Sequence, residues 1–267
     1  MTVRLARRLL VVVALLTLAC GNVFAYTLCS AIAPSVEPYV SLQDYINTGS
    51  CTVGDKLFTD FALGVTSTGS PSETVTSDIE VSPLSAYLST PSDYGLEFDL
   101  QGDNTVAPSQ TMNIDIQYTV QVTGVFPISE VYGESYGGTL TVPGNSGNSV
   151  SATKNLCVGQ SFDVLSPDSS TSVCADPGVP LSVTVPTLGT YDDDESNSVS
   201  GSPLPATIIG VSDLMQLNGG TGGSGTTADI DGMINDYVEN SSVPEPATFL
   251  LIGAGLLGLG VLRRKRA

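Results

Sequence analysis

The stretch MNIDIQYTVQV, from Met112 to Val122, alternates without a fault. Met112, Ile114, Ile116, Tyr118, Val120 and Val122 fall on one side, and Asn113, Asp115, Gln117, Thr119 and Gln121 on the other. That period of two belongs to a pleated strand with one buried face, and a helix cannot use it. Such a strand needs partners. The segments ETVTSDIEV, YGLEFDL, GGTLTVP, SVSATKNLCV, TSVCA, PLSVTVP and ATIIGVSDLMQL supply them, with the turn signals GDN, PGNSGNS and PDSS between. Leu57, Thr59, Phe61 and Leu63 alternate with Phe58, Asp60 and Ala62 in one more strand. SLQDYI reads as a helical turn capped by Ser41, with Asp44 at the capping-box distance. Many short strands without amphipathic helices between them predict an all-β fold, an antiparallel β-sandwich or jelly-roll-like body.

Composition divides the 267 residues into four parts. Residues 1–25 carry a basic start, MTVRLARR, and an apolar run from Leu9 to Ala19, which is the pattern of a signal peptide with its short helix. Val23–Ala25 suits ordinary cleavage; TLAC at Thr17–Cys20 is the competing lipoprotein exit. Residues 26–217 form the expected sandwich body. The Gly-rich NGGTGGSGTT opens an expected stalk over 218–242, with a short helix in ADIDGMINDYVEN. Residues 243–267 form a tail.

Cleavage after Ala25 discards Cys20 and leaves Cys29, Cys51, Cys157 and Cys174. An even number in an exported chain predicts two disulfides. Three connectivities exist, and the local one, Cys29–Cys51 with Cys157–Cys174, is expected because each pair is close in sequence. A zinc site is the rival, but the chain has no CxxC pair and no histidine.

Between Tyr26 and Ser242 stand 26 acidic residues against two lysines, Lys56 and Lys154, a net of −24. Such a surface repels phosphate backbones and excludes nucleic acid as a partner. GESYGG at Gly133–Gly138 contains G-x-S-x-G, but that nucleophile needs a base, normally histidine. A dyad of Ser135 with Lys56 or Lys154 is the remaining route, and a Gly-rich hairpin the plainer reading. The aromatic set lacks tryptophan, which weakens a sugar-hydrolysing reading. No enzyme is expected. Calcium is the one candidate cofactor: Asp192, Asp193, Asp194 and Glu195 concentrate hard oxygen ligands, although a solvated acidic loop is the simpler reading.

The tail has three parts in order. Pro244, Glu245 and Pro246 come first, then sixteen uncharged residues over 247–262, then Arg263, Arg264, Lys265 and Arg266. The apolar run predicts a short transmembrane helix, and the basic cluster holds its far end in the cytoplasm. VPEPATFLLIGAGLLGLGVLRRKR resembles the PEP-CTERM sorting signal. The resemblance covers about 25 residues and implies an exosortase-like membrane enzyme as partner, in Gram-negative bacteria that make extracellular polysaccharide. It implies that the secretion machinery exports the chain, that the tail anchors it transiently in the membrane and is removed near the triplet, and that the protein ends at the cell surface or secreted. A plain anchor that is never cut is the alternative. LQDYINTGSCTVGDKLFTDFAL is similar to a stretch found early in many proteins bearing such tails, for which no activity follows.

Two readings of the body stay open. One is a structural or interaction protein of the cell surface or matrix. The other is a carbohydrate-binding module, with or without calcium, that meets extracellular polysaccharide. Tyrosines grouped on one face, from among Tyr94, Tyr118, Tyr132, Tyr136 and Tyr191, would favour the second.

Overall fold

A computed structural model describes residues 26–35, 38–69, 71, 76–85, 93–101, 104–140, 146–161, 181–185, 193–221 and 228–239. The signal segment, the tail and Cys174 lie outside them. Among the described residues the strands run in the order β1 (Ser50–Val53), β2 (Lys56–Thr68), β3 (Ile79–Ser85), β4 (Asp93–Leu100), β5 (Thr105–Val106), β6 (Thr111–Val122), β7 (Ile128–Leu140), β8 (Ser146–Val158), β9 (Leu181–Val185), β10 (Asp193–Ser200), β11 (Ile208–Thr221), β12 (Ala228–Asp229) and β13 (Gly232–Glu239). One α-helix, α1 (Leu42–Thr48), precedes them, after a short 3-10 turn at Cys29–Ala31.

The strands form two antiparallel sheets. The first has the order β1-β2-β6-β11-β8-β9. The second runs β3-β4-β13-β7, continues through β12 and β5, and carries β10 on β7. Their inner faces meet in one apolar core. Met112, Ile114, Ile116, Tyr118 and Val120 of the first sheet are buried against Leu96, Phe98, Met233 and Tyr237 of the second. The Tyr118 ring lies 5.5 Å from Phe98, and Phe58 lies 6.0 Å from Tyr237. Each such side chain contributes roughly 1.5–3 kcal/mol by leaving water.

The alternation of Met112–Val122 is reproduced in β6, but its second face is less wet than expected. Asp115, Gln117 and Thr119 are also buried. They are tied by hydrogen bonds: Gln117 Nε2 donates to Asp115 Oδ2 at 2.6 Å, and Ser212 Oγ donates to Asp115 Oδ1 at 2.7 Å. Burial pushes the Asp115 carboxyl up, opposed by those two bonds. In β2 the alternation resets. Its register against β6 shifts between Thr59 and Ala62, and Asp60 adopts φ 59°. A bulge adds a residue without advancing the partner strand. Phe58 and Phe61 therefore both reach the core, and Phe61 stacks on Tyr118 at 5.9 Å.

The capping box of α1 forms. Asp44 Oδ2 accepts from the Ser41 N–H at 2.9 Å while Ser41 Oγ accepts from the Asp44 N–H at 3.4 Å. Gly49, with φ 80°, ends the helix. The helix buries Leu42 and Tyr45 beside the Cys29–Cys51 disulfide, which joins residues 22 apart. Closing that loop contributes about 3 kcal/mol in the chain-entropy model.

The expected stalk is overturned. β11 runs through Asn218 and the next glycines to Thr221, and β13 is an internal strand paired with β4 and β7. The expected helix over ADIDGMINDYVEN is thus strand at Ala228–Asp229 and again over Gly232–Glu239. Met233, Asn235 and Tyr237 alternate inward, a period of two that a helix would break. GESYGG is not a hairpin either. It lies within β7, with β13 on one side and β10 on the other.

Candidate functional site

Strand periodicity places two charges inside the sandwich. On β8, Lys154 is in phase with the buried Val150, Ala152 and Leu156. On β11, Asp213 is in phase with Ile209, Val211, Met215 and Leu217. The two are direct cross-strand partners. Lys154 Nζ meets Asp213 Oδ1 at 2.6 Å, and both side chains are 0% exposed. The other carboxylate oxygen is also engaged: Asn235 Nδ2, from β13 of the opposite sheet, donates to Asp213 Oδ2 at 2.7 Å. Asn235 is equally buried, and its Oδ1 makes no hydrogen bond.

The lysine reaches across the interior because β7 offers no side chain at Gly133. A Cβ there would stand 2.8 Å from Lys154 Cε and 3.9 Å from Nζ. Gly133 is the register partner of Asn235. Tyr118 and Tyr237 close the cluster, their hydroxyls 2.6 Å apart. Tyr118 also hydrogen-bonds Asp213. Burial, and then the Asp213 charge, push both phenols well above their ordinary range. Burial drives the Lys154 ammonium toward its neutral form, against the pull of Asp213. A dry amine, a carboxylate and a primary amide in one hydrogen-bonded row have acid–base chemistry available to them that water would quench.

The second lysine is held differently. Lys56 Nζ lies 2.8 Å from Asp55 Oδ1 and 2.6 Å from Glu239 Oε1, and 5.4 Å from the centre of the Tyr94 ring. This ties the start of β2 to the last residue of β13. Asp55 and Lys56 therefore form a clasp between the two sheets.

The outer face of the second sheet carries acids in register. Glu80 opposes Asp99, Glu97 opposes Ile234, and Ile234 opposes Glu134. Asp236 opposes Tyr132, and Gly232 opposes Tyr136. Asp236 is buried and in hydrogen-bonding contact with Asp93; desolvation and that neighbour push its carboxyl up to about 8. Of the tyrosines expected to mark a sugar face, Tyr132 and Tyr136 share this one. Tyr118 is core, Tyr94 packs against the core, and Tyr191 lies outside the described residues.

The other predicted residues are placed as follows. Cys29 and Cys51 are bonded; Cys157 is also disulfide-bonded, to a partner outside the described residues. Asp193, Asp194 and Glu195 begin β10 rather than a loop, and Asp192 lies outside. Among the described residues no three His, Cys, Asp or Glu side chains converge as a metal site. Ser135 is buried and its Oγ makes no hydrogen bond, so it is joined to neither lysine. Pro244, Glu245, Pro246, Arg263, Arg264, Lys265 and Arg266 lie outside the described residues. Among those described, no helix is long and apolar enough to cross a membrane. The sequence reading missed Asp213 and Asn235 altogether. The signal was present for Asp213: a charge at the inward position of an otherwise apolar strand.

Two facing antiparallel sheets around one core make the body an all-β, sandwich-like module. The residues beyond β13 say how it is delivered: residues 242–266 match the family model of the PEP-CTERM protein-sorting motif. The chain thus carries a PEP-CTERM sorting motif, which indicates an exported protein processed at the membrane and implies an exosortase-type sorting partner. No curated protein matches it. Among solved structures, it is similar to TmCBM61 in complex with β-1,4-galactotriose at 10% identity and a TM-score of 0.30, over 65% of this chain and 86% of that one. It is also similar to the enzymatically active domain of bacteriophage CBA120 tailspike protein 4 at 9% identity and a TM-score of 0.26, over 67% of this chain and 19% of that one. At these TM-scores neither neighbour informs the ligand of this chain.

Proposed function

We propose that the body is a non-catalytic structural or interaction module of the bacterial surface or extracellular matrix, delivered by its tail. The observation that carries this reading is the position of the sorting motif. It begins at residue 242, directly after β13 ends at Glu239. Cleavage near Pro244–Pro246 would then remove no residue of the described fold. The strong negative charge supports a role outside the cell, where it keeps copies apart.

The test is the intact mass of the protein from its own host, with and without the exosortase. The expected product starts at Tyr26 and ends near the triplet, and the exosortase-deficient strain accumulates chain with the tail still attached. Recovery of the tailed form from both strains would overturn the sorting reading. A second reading, binding of extracellular polysaccharide, draws on Tyr132 and Tyr136 sharing the acidic outer face. A glycan array with and without Ca²⁺ tests it: binding lost in Tyr132→Ala supports it, and an array with no signal removes it.

A further inference from the structure

We propose that Lys154 and Asn235 become joined by an intramolecular amide bond, with Asp213 carrying the proton, so that the two sheets are covalently tied through the core. Three observations converge on this. The amine and the amide occupy the two oxygens of one carboxylate, at 2.6 and 2.7 Å. Every member of the cluster is fully buried, so hydrolysis and competing proton exchange are suppressed. Gly133, beside Asn235 on the neighbouring strand, leaves the lysine tip room to lie against the strand pair that carries the amide.

The chemistry closes without any added reagent. Lys154 Nζ passes a proton to Asp213 and becomes a neutral nucleophile, a form that its desolvation favours. The amine attacks Asn235 Cγ. The Nζ–Cγ bond forms and the Cγ–Nδ2 bond breaks. Asp213, already hydrogen-bonded to Nδ2, delivers a proton to that nitrogen, which leaves as ammonia. The amine gives up two protons in all: one departs on the ammonia, and the other stays on Asp213, whose counter-charge has gone. No oxidant, metal or nucleotide is needed. Folding itself supplies the effective concentration, since the groups meet only when the sheets close.

The experiment is the intact mass of the reduced protein as recovered from its host, read against the mass calculated for its observed termini, followed by a peptic digest. A deficit of one ammonia, with a branched peptide joining Lys154 to Asn235, is the expected result. Asn235→Ala, Lys154→Arg and Asp213→Asn should each restore the full mass calculated for that variant. Circular dichroism on the same samples separates a folded variant that lacks the bond from an unfolded one. Wild-type protein that is folded and shows no deficit overturns the proposal. So does a deficit of one water, which would put the bond on Asp213. So does a deficit mapped to Asn218–Gly219, where an asparagine can close on its own backbone. An ammonia deficit that survives in folded Asp213→Asn overturns the assigned role of Asp213.

Discussion

The body holds two lysines, and both are buried, yet they are held in opposite ways. Lys56 sits at the edge of the sandwich with two carboxylates and a tyrosine ring around it, and one of those acids, Asp55, is 31% exposed. Lys154 sits in the middle with a single carboxylate that it must share with an amide. The first arrangement over-supplies negative charge and leaves the ammonium satisfied. The second balances the charge and places a carbonyl carbon beside a dry amine. A buried ion pair is weak evidence for stability, because desolvation can exceed the attraction. What separates the two sites is the third partner: another anion at Lys56, an amide at Lys154.

The comparison can be broken most severely at the centre. Lys154→Met should cost about 3–5 kcal/mol, because it strands the Asp213 charge in the core. Thermal unfolding would read this as a fall of roughly 6–20 degrees, and an unchanged Tm would sink the claim that this pair is sealed from water. Lys56→Met should cost less, about 2 kcal/mol, since Asp55 can turn to solvent. Its effect should shrink in 1 M salt, where exposed charges are screened, whereas that of Lys154→Met should not. Gly133→Ala should cost about 1 kcal/mol by crowding the Lys154 methylenes, a flexible neighbour that can give way. A neutral result in urea denaturation would mean that the lysine does not lie against β7. The last test is read against pH. The Asp236 carboxyl is raised from 3.8 to about 8 in the folded chain, so it binds a proton there that the unfolded chain gives up. Its contribution is full below about pH 4 and is lost as pH rises through about 8. Melting curves of wild type and Asp236→Asn between those limits should show the wild type falling more steeply as pH rises.

Much of the fold was legible where local chemistry and burial agree. Met112–Val122 announces β6 by its period, Ser41 and Asp44 announce the start of α1, and the short spacing of Cys29 and Cys51 announces their bond. The failures share one cause. β13 follows a Gly-rich run and places Asn235 and Asp236 at buried positions, so its composition imitates an exposed stalk. Only the partner strands β4 and β7, about 95 to 140 residues earlier in the sequence, make those polar residues interior. The Lys154–Asp213–Asn235 row is hidden for the same reason. Each member looks like a surface residue alone, and the strand order that assembles them is not written in any one segment.

The location of β13 also decides how the module bears load. It is held by β4 over register pairs from Gly232 to Val238 and by β7 from Gly232 to Glu239, both antiparallel. A pull delivered beyond Glu239 therefore enters the sheet between two neighbours rather than at its rim. An edge strand peels one hydrogen bond at a time. A strand gripped on both sides must slide against both ladders at once, so tension from an attached C-terminal end is met as shear across the middle of the domain.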